Sequence, residues 1–316
     1  MKKIVLIGAV LLLSFGTGVF AGGKTQQIRM VTGGTAGTYY AYGSALGQIL
    51  GEKTKIPITV QSSGASKVNI QLVSGGEAEL AMVQNDVMDY AWNGTELFNG
   101  AKTQGFSAMA ALYAEHCQVI ANPSAGISSI ADLKGKRVSV GDAGSGTEFN
   151  ARQILEAYGI SFNDIQKQNL GFGPSADALK DGKLDAFFTV AGAPTPAIID
   201  LATTNNIMLL EVDDAHAAAL KKKYPFYAQI SIPANSYRGQ AAPVKVVAIK
   251  ATFIVSPKLS DDIVYNLCKA LFANKDEISK AHAKGKELDH AYAVDGVSTP
   301  FHPGALKYFK EVGVKK

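Results

Sequence analysis

This chain is short of the residues that do reactive or metal chemistry. It has 2 cysteines and 5 histidines in 316 residues. Cys117 and Cys268 are too few and too far apart for a disulfide framework. Cys117 lies in an apolar strand-like run, and Cys268 shares a helix face with Ile263, Leu267 and Leu271. Two buried thiols are expected rather than a bridge. None of His116, His216, His282, His290 and His302 falls in an H-E-x-x-H or H-x-H spacing, so the sequence supports no zinc site. There is no G-x-S-x-G elbow. Gly144-Ser145-Gly146-Thr147 lacks the lysine of a phosphate-binding P-loop and the third glycine of a dinucleotide fingerprint. The carboxylate pairs Asp213-Asp214 and Asp261-Asp262 stand at helix starts, where capping accounts for them. His116 and Cys117 are strand neighbours and point to opposite faces, so they form no nucleophile–base pair. No catalytic residue, metal or cofactor is therefore assigned.

Charge is nearly balanced, with 31 basic and 27 acidic residues and a net charge of +4. No basic stripe with interleaved aromatics occurs, which argues against nucleic acid as a partner. The one basic run, Lys221-Lys222-Lys223, reads as a solvated helix end. The single tryptophan, Trp92, reads as a packing residue. Beyond the N-terminus no segment is apolar for the ~20 residues that a bilayer span needs.

The N-terminus itself is a targeting segment. Lys2 and Lys3 precede an apolar run at 4–13, and Val19-Phe20-Ala21 fits a small-x-small cleavage site. Residues 1–21 are read as a signal peptide cleaved after Ala21, which places the mature chain in the periplasm. No cysteine near that site would take a lipid anchor. What remains is long enough for two lobes with separate cores.

The mature chain alternates strand-like and helix-like stretches, the signature of α/β layers with mostly parallel sheets. Strands are expected at 28–31, 58–61, 80–84, 137–140, 186–190 and 207–210. Helices are expected at 39–54, 66–73, 147–159, 175–180, 196–203, 213–223 and 260–273. Two long β-rich runs, 107–120 and 244–255, read as crossing points between two lobes.

The most informative stretch is 132–148. A polar turn leads into a short strand, then a glycine-rich loop, then a helix that opens near Thr147. Glycines let the backbone approach a ligand. Ser145 and Thr147 cap the helix or donate hydroxyls, and the helix's free N–H groups face the loop. Three more strand ends share this look: 32–40 with Gly37, Thr38 and Tyr39, 61–66 with Ser66, and 83–86 with Gln84. Ligands of open α/β sheets bind outside the carboxyl ends of strands. Four such ends in two units suit a small polar anion clasped between lobes. Of Tyr39, Tyr40 and Tyr42, Tyr39 is nearest its loop and is assigned to the ligand.

Several motifs in order resemble one family. They are Thr32-Gly33-Gly34 with Gly37-Thr38-Tyr39-Tyr40, Gly64-x-Ser66-x-x-Asn69, Val83-Gln84-x-Asp86 and Leu112-Tyr113-x-Glu115. Asp132-Leu133-Lys134-Gly135-Lys136, Gly144-Ser145-Gly146-Thr147, Ala186-Phe187-Phe188 and Gly192-x-Pro194-Thr195 follow, then Tyr237-x-Gly239-Gln240 and His302-Pro303-Gly304-Ala305. Over nearly its whole mature length the chain resembles the TAXI-type solute receptors of TRAP transporters. The resemblance implies a two-lobed, type II-like periplasmic-binding-protein fold with a hinge of crossover strands. Lobe I would be 22–116 with 237–316, and lobe II 117–236. It also implies contacts from Gly37, Thr38, Tyr39, Ser66, Gln84, Ser145, Gly146 and Thr147, with Ala191 and Gly192 after them. The implied solute is glutamate, glutamine or a related dicarboxylate, handed to the permease subunits of a TRAP transporter. Ala36 and Ala65 stand where the family commonly has glycine, and Arg238 where it has proline. The carboxylate-clamping arginine of the other TRAP receptor family is not found. Two rival readings are an enzyme on the same fold and a sensor subunit presenting solute to a membrane kinase.

Overall fold

A computed structural model describes residues 27–315. The expected signal segment at 1–21 lies outside them. Among the described residues no helix is long and apolar enough to cross a membrane.

The chain first builds a parallel βαβαβ unit. It runs β1 (Ile28–Val31), α1 (Thr38–Thr54), β2 (Ile58–Gln61), α2 (Ser66–Gly75) and β3 (Leu80–Gln84). β1 pairs in parallel with β2 on one side and β3 on the other. β3 is buried at all five positions because it is covered on both faces. α1 turns Tyr42, Leu46, Ile49 and Leu50 onto the sheet. α3 (Asn85–Asn93) starts with no linker after β3. The sequence reading stopped at a polar strand end there, because Asn85 and Asp86 look like loop residues until Val87, Met88, Tyr90 and Ala91 are seen to bury.

β4 (Ser107–Ala121) then crosses into the second half. That half carries β5 (Arg137–Ser139), α4 (Gly146–Ala157), β6 (Gln166–Gln168), α5 (Phe172–Lys180), β7 (Ala186–Ala191) and α6 (Pro196–Thr204). β8 (Met208–Leu210), α7 (Asp214–Lys223) and β9 (Ala228–Ile232) complete it. β10 (Val244–Val255) crosses back, and α8 (Asp261–Ala273), α9 (Lys275–Ala281), α10 (His290–Val294) and α11 (Pro303–Glu311) finish on the first half.

Among the described residues the ten strands form one sheet in the order β2-β1-β3-β10-β4-β7-β5-β6, with β8 beside β4 and β9 beside β10. The expectation of mostly parallel sheets is corrected here. Pairing is parallel within each half, but β10 runs antiparallel to β3, β4 and β9, and β4 antiparallel to β7 and β8. A strand buried on both faces reads as the same apolar run in either sense, so periodicity could not give its direction.

The hydrophobic cores change along the two crossing strands. One core draws on residues from Ile28 to Tyr113 and from Ala251 to Phe309. Two others, one on each face of the sheet, draw on residues from Cys117 to Ile249. Tyr237, Val246, Val247 and Ile249 therefore pack with the second half, although the sequence reading put 237–249 in lobe I. Cys117 and Cys268 are both buried free thiols in different cores, as expected.

Register sets the floor of the site. Gln84 on β3 lies opposite Ala251 on β10, Ile249 on β10 opposite Glu115 on β4, and His116 on β4 opposite Ala191 on β7. Since Ala251 also faces Tyr113, Glu115 lies two residues along β4 from the Gln84 rung and Ala191 is level with the residue after it.

Candidate functional site

Five helices aim their N-termini at one cavity of about 360 Å³. Their cap residues are Gly37 (α1), Ala65 (α2), Gln84 (α3), Ser145 (α4) and Gly171 (α5), and all five line it. The first turn of a helix has N–H groups without intrahelical acceptors and carries the positive end of the dipole. Only Ser145 makes a side-chain cap, accepting the Glu148 N–H at 3.2 Å. The other four caps take no such bond. Both halves contribute, so the cavity is a cleft between them. Its size suits a small solute rather than a polymer.

The floor has the opposite sign. Glu115 is buried and accepts the Tyr39 hydroxyl proton on Oε2 at 2.8 Å. Burial pushes the Glu115 carboxyl well above its usual range, against the pull of the Tyr39 hydroxyl and Lys284. Burial and the Glu115 carboxylate also raise the Tyr39 phenol, which stays the donor. Asp142 stands at the mouth, its carboxyl raised by partial burial. Gln84 is 3% exposed, its backbone N–H donates to Ser66 Oγ, and its side-chain oxygen has no hydrogen-bond partner. Among the described residues no lysine, arginine or histidine lines the cavity. Lys284, whose Cε lies against Gly192, is tied to Glu287 at 2.6 Å.

The structure brings nine of the ten sequence-derived site residues to this cavity: Gly37, Thr38, Tyr39, Ser66, Gln84, Ser145, Gly146, Thr147 and Ala191. Gly192 does not line it, and its carbonyl instead accepts the Thr38 hydroxyl at 2.9 Å across the cleft. Sequence reasoning gave no role to Glu115, Asp142 or the 171–174 segment, all of which line the cavity. Glu115 was visible only as part of a motif, since one acid inside an apolar run looks like an exposed edge. Gly171-Phe172-Gly173-Pro174 had the same glycine-rich strand-to-helix form as the other loops.

Contacts beside the cavity join the halves. The Ala197 N–H donates to the Ala36 carbonyl at 3.2 Å. Asn150 on α4 donates to Asp86 on α3 at 2.8 Å, and Gln153 to Tyr90 at 3.2 Å. The Tyr227 hydroxyl donates to Gln153 and accepts from Asn150. Arg152 pairs with Glu96 at 2.5 Å. Among the described residues no cysteine, histidine or lysine lines the cavity. Burial and Lys284 lower His116 to about 4, so it is neutral at pH 7 and accepts the Ala193 N–H. Among the described residues no three His, Cys, Asp or Glu side chains are grouped to hold a metal.

Known proteins agree with this architecture. A solved structure described as a periplasmic transporter superposes with a TM-score of 0.58 at 14% identity, covering 92% of this chain and 93% of the other. The alkanesulfonate-binding protein SsuA from Xanthomonas axonopodis pv. citri, bound to MOPS, gives 0.53 at 16% identity over 90% and 83%. The periplasmic aliphatic sulphonate binding protein SsuA from Escherichia coli gives 0.50 at 13% over 90% and 83%. At these identities the likeness is one of fold, and the fold is the two-lobed one of periplasmic solute-binding proteins. The profile of the NMT1-like family matches residues 30–313, nearly everything described, and the chain belongs to that family.

Proposed function

We propose that the chain is a periplasmic receptor of the TAXI type, without catalytic activity. It binds a small solute with an anionic group, glutamate, glutamine or a related dicarboxylate, and delivers it to the permease subunits of a TRAP transporter. The observation that carries this reading is the convergence of five helix N-termini, from both halves, on one small cleft. Such ends hold anions without an arginine. Ligand contacts are assigned to Gly37, Thr38, Tyr39, Ser66, Gln84, Ser145, Gly146, Thr147 and Ala191. Gly192 acts behind them by holding Thr38. Two rigid bodies close over the solute, as in hinge closure. The hinge is assigned to the stretch between Tyr113 and Cys117 on β4 and between Ile249 and Ala251 on β10, where the strands pass from one core to the next.

Signal-directed export fits this role and is tested by sequencing the N-terminus of the secreted protein, expected at Gly22. The solute is tested by calorimetry on protein unfolded, washed and refolded to strip any carried ligand. L-glutamate, L-glutamine and C4–C5 dicarboxylates are the panel, and binding by at least one is expected. Silence from all of them on folded protein would refute the amino-acid and dicarboxylate assignment.

A further inference from the structure

Anion-binding helix ends do not account for the floor of this cleft. Glu115 and Asp142 are acids, the side-chain oxygen of Gln84 is an acceptor, and no basic side chain among the described residues lines the cavity to answer them. Glu115 has one oxygen committed to Tyr39 and the residue nonetheless lines the cavity. The Gln84 oxygen is buried and unpaired beside the α4 N-terminus, where a Cβ on Gly146 would overlap it. A dicarboxylate without an amine brings no N–H donor to the Gln84 oxygen. Two more negative charges would face a buried carboxyl, and the Gln84 acceptor would stay unpaired at a penalty of roughly 1–3 kcal/mol.

Resting on the receptor reading above, we propose that the floor is an ammonium subsite. Glu115 and the Gln84 side-chain oxygen take two N–H bonds of a protonated α-amine, with Asp142 at the mouth adding to the field. The helix N-termini hold the carboxylate of the same molecule. The solute is then a zwitterionic amino acid, and C4–C5 dicarboxylates without an amine are excluded. An ammonium also explains how a carboxyl can be kept so deep, since a bound cation restores the charge partner that burial denies it. Tyr39 holds the Glu115 oxygen that faces away from the amine and fixes the carboxyl plane.

The test is matched-pair calorimetry on the refolded full chain. L-glutamate is set against glutarate, L-glutamine against glutaramate, and L-aspartate against succinate, each pair differing only by the α-amine. Two charge-assisted bonds predict that the preferred amino acid binds at least ~100-fold tighter than its deaminated partner. Glu115→Gln keeps an acceptor for the Tyr39 hydroxyl, and it is expected to weaken the amino acid by ~10-fold or more while leaving the deaminated partner within about 3-fold. Equal affinities within the pairs on the unmodified protein would overturn the ammonium subsite and leave the receptor reading standing. Silence from all six compounds would instead remove the receptor's solute class, and the subsite with it.

Discussion

Ala65 holds a backbone conformation that few side chains adopt, with φ 63° and ψ −151°. That region is nearly exclusive to glycine and costs a residue with a Cβ about 1–3 kcal/mol. Glycine would relieve the strain and give back about 0.5–1 kcal/mol in unfolded-state entropy. Ala65→Gly should therefore stabilise the protein by ~1 kcal/mol, read as a higher urea midpoint with an unchanged slope; a lower midpoint would mean the loop is not strained. The sequence had marked this residue, because alanine stands there in place of the family's glycine, though only φ shows the consequence. Asp86 was read as a polar strand end, and its deep burial was not visible. Its carboxyl is pushed up to about 6 by burial, with Asn150 and the Val87 N–H pulling it down and Asp89 adding to the rise. Tyr90, Tyr227, Cys117 and Glu115 also feel its charge. An acid raised from ~4 to about 6 keeps its proton in the folded state and loses it in the unfolded one. Stability is then lost as pH rises through that window, by roughly 3 kcal/mol. Asp86→Asn cannot titrate. Wild type minus variant stability, from urea unfolding at pH 4 and pH 7, should fall by about 2 kcal/mol toward pH 7, because the unfolded acid is already partly ionised at pH 4, and a difference flat with pH would refute the shift.

At the scale of elements, long and strongly patterned pieces were legible. β10 spans the predicted residues, and α1, α2, α6 and α8 start and stop within two residues of expectation. What failed were pieces whose pattern is weak for a physical reason. β9 pairs only with β10 at an edge, and although Ala228–Ile232 alternates apolar and polar residues, it does so over only five positions with two large apolar side chains, too short a run to stand out. The strand-to-helix joints were legible as sites because glycine, serine and threonine serve both tight turns and caps. Gly146 shows why such a joint tolerates little. It is the first residue of α4, and a Cβ there would run into the Gln84 amide that lines the cleft. In a helix alanine normally outdoes glycine by about 0.5–1 kcal/mol. Gly146→Ala should nonetheless weaken solute binding ~10-fold or more, with unfolding stability lowered by no more than about 1 kcal/mol. Calorimetry beside urea unfolding separates the two, and unchanged affinity would show that Gln84 can move aside without loss.

At the scale of the molecule, some of the bonds that join the two halves line no part of the cleft. Glu96 and Tyr90 on the first half meet Arg152 and Gln153 on α4 of the second. Neither Tyr90 nor Glu96 touches the cavity. The sequence showed two crossing runs and hence a hinge, but it could not show which surfaces meet when the hinge shuts, since that depends on residues 50 or more apart. If solute is gripped only with the halves closed, loosening these contacts must weaken binding from a distance. The partly exposed Arg152–Glu96 pair is worth 0–1 kcal/mol and the Tyr90–Gln153 bond ~1 kcal/mol. Tyr90→Phe combined with Glu96→Ala should lower affinity about 5- to 30-fold. Small-angle scattering of the ligand-free variant should give a larger radius of gyration than wild type, and saturating solute should bring the two together. A variant that binds as tightly as wild type and scatters identically would mean that these contacts do not gate the cleft, and that closure, if it occurs, turns on the floor strands β4 and β10 alone.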